Sequence, residues 1–95
     1  MKYKLVWSKR FAKSYKLAQR RGCSIEKLDQ IIRKLVNDEP LEKKNKDHDH
    51  PLYGNWLHHR ECHIENDWLL IYYVYEDILV LELSRTGNHS DLFSK

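Results

Sequence analysis

The chain has 95 residues, of which 41% are apolar and 33% charged, and its formal net charge is +3. A chain of this length builds one modest core, so we predict a single domain over residues 1–95. The longest apolar run, Trp68 to Tyr75, has the length of a strand and not of a membrane span. The charged N-terminus lacks the apolar segment of a signal peptide, which predicts a cytoplasmic protein with no membrane partner.

The positive charge is concentrated in the first half of the chain. Residues 1–50 hold 14 Lys and Arg against 7 Asp and Glu, whereas residues 51–95 hold 3 against 7. Eight basic residues precede the first acidic one. Because such a field attracts polyanions, it slightly favours a nucleic-acid partner over a solvated lysine-rich helix face.

The first half of the chain is predicted to form a strand and two helices. Alternation of polar and apolar residues predicts the strand over Lys2–Trp7. Ser8 and Ser24 are suited to cap the two helices, and Gly22 is close to the end of the first. The apolar residues at helical spacing are Phe11, Tyr15 and Ala18 in the first helix and Ile25, Leu28, Ile32 and Leu35 in the second.

The second half is predicted to form a loop and three strands. Residues 42–55 are polar and contain Pro51 and Gly54, which indicates a long exposed loop. Short separators predict antiparallel hairpins between three runs rich in β-branched and aromatic residues, namely Trp56–Ile64, Trp68–Glu76 and Ile78–Ser84. The predicted class is α+β, with the order β-α-α-β-β-β and both N-terminal helices packed on one face of an antiparallel sheet.

Several kinds of site are excluded by the sequence. Cys23 and Cys62 are too few for a disulfide framework and too far apart for a structural zinc site, so both are predicted to be free thiols. The chain has neither a phosphate-binding loop nor a dinucleotide-binding fingerprint. Ser84 and Ser90 lie in no nucleophile elbow. The placement of the histidines is the remaining signal.

Six histidines fall on three segments of the chain. They are His48 and His50 in the loop, His58, His59 and His63 in the second strand, and His89 after the last strand. The loop enters one strand and the C-terminal segment leaves another, so we expect His50, His63 and His89 to converge at one end of the sheet. Asp67 and Arg85 are expected beside them.

Three interpretations of these histidines compete. As a metal site, His48 and His50 with His63 or Asp67 supply ligand types but no recognised spacing, so we predict neither a metal nor a cofactor. As a structural accident, they are surface residues. As acid–base groups, they move protons near neutral pH beside an arginine that binds phosphate. That combination serves phosphodiester cleavage by an RNA 2′-hydroxyl without a metal.

Three motifs in the second half of the chain support the last interpretation: DHPLYGNW, RECHIENDWLLIY and RTGNHSDLF. Together they resemble the YafQ branch of the RelE-type toxins, the ribosome-dependent mRNA endonucleases of bacterial toxin–antitoxin pairs. The element order and length are similar across nearly the whole chain. The resemblance implies a RelE-like microbial ribonuclease fold and a cognate antitoxin that binds and silences the enzyme.

The resemblance also implies roles for seven residues. The residues that match catalytic positions are His50, His63, Asp67, Arg85 and His89, and Arg85 matches the arginine that binds phosphate. The residues that match RNA-binding positions are Trp68 and Phe93. Trp68 is the better candidate for stacking on a base, whereas Phe93 fits a hydrophobic plug equally well.

Some positions depart from the family pattern. Asn66 stands where the family often has proline, which predicts a looser hairpin turn. Tyr53 and residues 57–59 replace positions that are commonly basic or contain glycine, and this affects the expected mRNA contacts. His58 and His59 inherit no role from the family, so we treat them as surface residues.

The predicted function is therefore a type II toxin that cleaves mRNA in the ribosomal decoding site. Its basic N-terminal helix is expected to face ribosomal RNA through phosphate contacts. The alternative from another class is a non-catalytic toxin like the ParE proteins, which inhibit DNA gyrase. A pure binder has no need to gather His50, His63 and His89 with Arg85. A metal-dependent nuclease ranks third.

Overall fold

A computed structural model of the chain describes residues 1–45 and 58–93, and within them it has four strands and three α-helices. The strands are β1 (Lys4–Trp7), β2 (Arg60–Glu65), β3 (Trp68–Tyr75) and β4 (Val80–Gly87). The helices are α1 (Lys9–Arg20), α2 (Ile25–Val36) and α3 (His89–Phe93), and a short 3-10 helix spans Lys43–Asn45. None of these helices is long and apolar enough to cross a membrane.

The strands form one sheet in the order β1-β4-β3-β2. Strands β2, β3 and β4 pair as two antiparallel hairpins, as the short separators predict. Strand β1 pairs in parallel with β4, which is possible because a long stretch of chain, rather than a tight hairpin, connects the two strands. The predicted α+β class and element order are confirmed, with the parallel edge strand and α3 as additions.

Helices α1 and α2 pack on one face of the sheet, which we call the helix face. The side chain of Ser8 caps α1 by accepting a hydrogen bond from the Phe11 backbone N–H at 3.0 Å. Ser24 precedes α2 but makes no side-chain cap. The fully buried residues of this core include Phe11, Leu28, Leu70, Leu81, Leu83 and Cys62.

The last strand extends further than the sequence predicted. Strand β4 continues past Ser84 to Gly87, so that Arg85 lies within the sheet. The register with β3 shifts between Ile71 and Tyr72, where a β-bulge accommodates Ser84. The Ser8 hydroxyl donates to the Ser84 carbonyl at 2.9 Å, so the start of α1 fixes the bulge.

The segment predicted as a long exposed loop begins with a structured turn. Asn45, at the end of the 3-10 helix, is buried rather than exposed. Residues 46–57, including His48 and His50, lie outside the described residues. As predicted, Cys23 and Cys62 are not joined in a disulfide, and Cys62 is buried in β2.

Candidate active site

The face of the sheet opposite α1 and α2, which we call the second face, carries most of the predicted site residues. Residues directly opposite each other on paired strands share a face. Leu69 of β3 lies opposite His63 of β2 and Gly87 of β4. In the next row, Ile71 lies opposite Arg85. His63 and Arg85 therefore belong to adjacent rows of one face.

Helix α3 covers one end of the second face. Its buried residue Leu92 packs on Leu69 and Ile71, which form a small apolar cluster separate from the main core. This packing brings the first residue of α3, His89, to the turn between β2 and β3. The topology thus gathers segments that are distant in sequence.

The Asp67 carboxylate fixes His89 from that turn. Its Oδ1 accepts a hydrogen bond from the His89 backbone N–H at 3.1 Å and lies 2.6 Å from His89 Nδ1. A charged carboxylate only accepts hydrogen bonds, so Nδ1 carries the proton, and Nε2 lies on the far side of the ring from Asp67. The hydrogen bonds from the His89 side chain and backbone lower the pKa of Asp67, which keeps this carboxylate charged at neutral pH.

Two rings flank the His89 imidazole. The ring centroid of His63 lies 6.3 Å away and that of Phe93 lies 6.1 Å away. Phe93 is 41% exposed, so its ring is accessible beside the imidazole and does not plug the core. The two histidines and the phenylalanine therefore border one exposed patch at the end of the second face.

The backbone of His63 is positioned by Asn45, a residue that sequence reasoning missed. The Asn45 side-chain amide donates to the His63 carbonyl at 2.7 Å and to the Ile64 carbonyl at 3.3 Å. These carbonyls lie where the register of β2 shifts before the turn. No local pattern marks this contact, because it joins residues 18 and 19 positions apart.

Arg85 lies at the edge of a basic groove between α1 and α3. The groove has a volume of about 590 Å³. Its cationic lining residues are Arg10, Lys13, Lys16, Arg20 and Arg85. Within residues 1–45 and 58–93 the Arg85 guanidinium forms no ion pair, so its N–H groups are available for an anion. Arg85 forms a salt bridge with neither Glu61 nor Glu82.

A second ion pair attaches α3 to α1. Arg21 binds both carboxylate oxygens of Asp91, at 2.7 and 3.3 Å, and this lowers the pKa of Asp91. Asn88 and Asp91 also cap α3 reciprocally: each side chain accepts a hydrogen bond from the other's backbone N–H. Sequence reasoning missed both contacts, although the spacing of Asn88 and Asp91 is a recognisable capping signal.

The prediction that Trp68 stacks on a base is corrected by its position. Trp68 is 6% exposed and belongs to the main core on the helix face. Its indole Nε1 donates to the Thr86 hydroxyl at 2.8 Å, and that hydroxyl donates to the Leu69 carbonyl at 2.7 Å. Trp68 therefore links β3 to β4 on the helix face. It lies behind Asp67 and behind the end of β4, which leads to His89.

Of the seven predicted site residues, the structure brings five to one region of the molecule. They are His63, Asp67, Arg85, His89 and Phe93. Trp68 supports them from the opposite face, and His50 lies outside the described residues. His58 is exposed, in agreement with a surface role, whereas the ring of His59 contacts Tyr73.

Known proteins resemble this chain over nearly its full length. The "mRNA interferase toxin YafQ" of Escherichia coli K12 is 41% identical over 90 residues, which cover 94% of each chain. The toxin in the crystal structure of the E. coli DinJ-YafQ toxin–antitoxin complex superposes with a TM-score of 0.83 at 37% identity, over 98% of this chain and 99% of that one. A structure described as a metal-bound toxin from Helicobacter pylori gives 0.85 at 36% identity, over 96% and 99%.

The family match covers the helices, the sheet and the described site alike. Residues 3–94 match the family described as the bacterial toxin of type II toxin–antitoxin systems, YafQ. The resemblance seen in the three sequence motifs is thereby confirmed. The chain belongs to the YafQ family of bacterial type II toxins.

Proposed function

We propose that this chain is a ribosome-dependent mRNA endoribonuclease that cleaves through the RNA 2′-hydroxyl without a metal. The observation that carries the proposal is the Asp67–His89 pair, which lies beside His63 on the face that also carries Arg85. Relatives named mRNA interferase toxins support the RNA substrate. The site of action is the cytoplasm, where the ribosomes are.

The reaction needs a base, an acid and a group that stabilises charge on the phosphate. One histidine takes the proton of the 2′-hydroxyl, whose oxygen then forms a bond to the adjacent phosphorus. The bond from phosphorus to the 5′-oxygen breaks, and a second histidine gives that oxygen a proton. The products are a 2′,3′-cyclic phosphate and a 5′-hydroxyl. His63 and His89 are suited to this exchange, together with His50, whose role rests on the family resemblance.

Arg85 is the group that stabilises the phosphate. Its guanidinium offers several N–H donors to the non-bridging oxygens, on which negative charge increases in the transition state. Asp67 orients the His89 ring through its contact with Nδ1.

The basic groove is suited to ribosomal RNA. Four cations on α1 line it together with Arg85, and contacts of this kind give affinity that falls steeply with salt. We expect ribosome binding to weaken as the salt concentration rises, and to weaken further when Lys13 and Lys16 are replaced by alanine. Sedimentation with ribosomes at several salt concentrations measures this.

A cognate antitoxin is the proposed protein partner. The E. coli relative is seen in a complex with DinJ. We expect co-expression of a gene adjacent to that of this chain to relieve growth arrest. If neither neighbouring gene does so, the assignment of a cognate antitoxin encoded beside the toxin is contradicted.

A metal-dependent nuclease is the second candidate, because the H. pylori neighbour is described as metal-bound. Chelation of trace metals, with magnesium kept only to stabilise the ribosome, separates the two mechanisms. The metal-free mechanism predicts an unchanged cleavage rate. Loss of cleavage that one added transition metal restores would contradict it.

Three alanine variants test the assigned roles in a reconstituted translation assay. Arg85→Ala and His89→Ala should each reduce cleavage by about 10²–10³, the usual cost of removing a group that stabilises the transition state. His58→Ala is the matched control, because this histidine is exposed and outside the site. Equal small losses in all three variants would mean that the roles are misassigned. Inhibition of gyrase without RNA cleavage would favour the ParE-like alternative.

A further inference from the structure

The second face continues beyond Arg85 as a group of aromatic rings. Tyr73 and Tyr75 follow Ile71 on the same side of β3, with ring centroids 4.6 Å apart. The His59 ring meets Tyr73 edge-on at 5.2 Å. We call His59, Tyr73 and Tyr75 the aromatic patch. Neither the fold nor the proposed chemistry accounts for it.

The rings of the aromatic patch are accessible and held in place. Tyr75 is 37% exposed and Tyr73 and His59 are partly exposed, whereas the neighbouring Tyr72, on the helix face, is only 2% exposed. The Tyr75 hydroxyl donates to the Glu82 carboxylate at 3.2 Å, which restrains the ring. The negative charge of Glu82 raises the pKa of Tyr75, so the phenol stays neutral. Rings fixed in this way lose little freedom when a flat ligand stacks on them.

The patch is continuous with the candidate active site. Strands rise about 3.3 Å per residue, so Tyr73 lies roughly 13 Å along β3 from Leu69, which is opposite His63. Arg85, opposite Ile71, lies between the histidines and the rings. A nucleic-acid strand with one phosphate at Arg85 would therefore reach the rings with a neighbouring nucleotide.

Charge at the far end of the patch also suits a nucleic acid. The exposed Lys4 lies opposite Val80, which in turn is opposite Tyr75. Cations at Lys4 and Arg85 thus stand on either side of the rings, where a phosphate backbone needs them. Two acidic residues lie on this face: Glu82 accepts a hydrogen bond from the Tyr75 hydroxyl, and Glu61, opposite Ile71, is buried. Alternating cations and aromatic rings are typical of surfaces that bind single-stranded nucleic acid.

We propose that the aromatic patch stacks on mRNA bases that flank the cleaved bond. The inference rests on the proposed endoribonuclease activity and adds a binding subsite to it. Stacking accepts any base, so the patch contributes affinity and alignment and not strict sequence reading. Tyr73 and Tyr75 are binding residues in this account and take no part in proton transfer.

Ring removal and ring retention are compared on a ribosome programmed with a defined message. Tyr73→Leu and Tyr75→Leu should each lower kcat/KM by at least about fivefold, because stacking on an aromatic ring is worth about 5- to 150-fold in affinity per base. Tyr73→Phe and Tyr75→Phe keep the ring and should retain most of the activity. Thermal unfolding of each variant controls for loss of structure.

An abasic nucleotide tests the same contact from the RNA side and needs no protein variant. Placed one position at a time around the cut, it should lower the rate for the wild-type chain at one or two flanking positions. At those positions, Tyr73→Leu should cause no further loss, because the two changes remove the same contact. Losses that add at every position would overturn the proposal.

The outcomes separate this inference from the proposed function. If the wild-type chain leaves every programmed message intact, the endoribonuclease activity itself is wrong. If the wild-type chain cleaves and the leucine variants cleave equally well, the aromatic patch is not an RNA subsite. Weaker antitoxin binding with normal cleavage would assign the patch to the protein partner and would also overturn the proposal.

Discussion

The two faces of the sheet differ in what holds them together. On the helix face, Phe11, Leu28 and Leu70 are fully buried in one continuous core. On the second face of the described sheet the buried apolar cluster is small, consisting of Leu69, Ile71 and Leu92, and polar and aromatic side chains lie beside it. The helix face holds the larger core, whereas the second face carries the residues to which we assign the chemistry.

The difference matters energetically. Burial of one large apolar side chain contributes about 1.5–3 kcal/mol, whereas an exposed ion pair contributes about 1 kcal/mol or less. The position of α3 depends on Leu92 and on the partly exposed Arg21–Asp91 pair. Changes at the second face should therefore reduce cleavage before they unfold the domain, and changes at the helix face should do the reverse.

The largest expected effect on stability comes from the helix face. Leu70→Ala should lower the free energy of unfolding by about 2–5 kcal/mol, because Leu70 is fully buried in the main core. Compared with Leu70→Ala, Leu92→Ala should lower the free energy of unfolding less and the cleavage rate more, because it loosens α3 while the main core stays intact. Urea denaturation and the cleavage assay measure both. A larger stability loss for Leu92→Ala would contradict the contrast between the faces.

Asn45→Ala tests the support of His63 from outside the sheet. It should lower the free energy of unfolding by about 1–3 kcal/mol, because two backbone carbonyls lose their hydrogen-bond donor. Cleavage should fall as well, since the His63 backbone is no longer fixed. Asn66→Ala, in the exposed turn, is the matched control. Equal stability of the two variants would show that the Asn45 contacts contribute nothing.

Gly87→Ala tests the close approach of α3 to β4. An added Cβ would lie 2.9 Å from Asp91 Cβ and Oδ2, so α3 must shift. We expect a stability loss of about 1 kcal/mol, at the lower end for overpacking, and a fall in cleavage well beyond that of the exposed control Ser90→Ala. Wild-type cleavage by Gly87→Ala would mean that the position of α3 is unimportant.

The smallest expected effect concerns the Arg21–Asp91 pair. The pKa of Asp91 is lower in the folded chain than in the unfolded one, so the pair stabilises the fold above the ordinary carboxyl pKa and loses this effect as pH falls through the folded value. Arg21→Ala should therefore lower the free energy of unfolding slightly at pH 7, and by less once the pH falls below the ordinary carboxyl pKa. Arg20→Ala is the control. If the loss of stability caused by Arg21→Ala increased as the pH fell, the stabilising role assigned to the Arg21–Asp91 pair would be contradicted.

The elements that form the helix face were largely predictable, because short stretches of sequence determine them. The apolar residues at helical spacing place α1 and α2, and the short separators place the two hairpins. The extension of β4 to Gly87 was not predictable in the same way, because its last residues owe their pairing to β3 and their position to Ser14 of α1.

Trp68 is a case in which the residue type suggests one role and the position in the fold gives another. A tryptophan at the start of a strand, next to an aspartate, fits base stacking by residue type alone. Alternation along β3 puts Trp68 on the same face as Leu70 and Tyr72, towards the helices. A local sequence pattern does not show which face of the sheet Trp68 occupies. The partner of its indole, Thr86, was therefore missed as well.

The most direct test of the central claim replaces one hydroxyl of the message. The second face is proposed to cleave RNA with the 2′-hydroxyl as nucleophile, so a 2′-deoxynucleotide on the 5′ side of the cut should abolish cleavage on the programmed ribosome. The same replacement one nucleotide away is the control and should leave a measurable rate. Cleavage of the deoxy-substituted message at the normal position would contradict the account of Asp67, His89 and Arg85 given above.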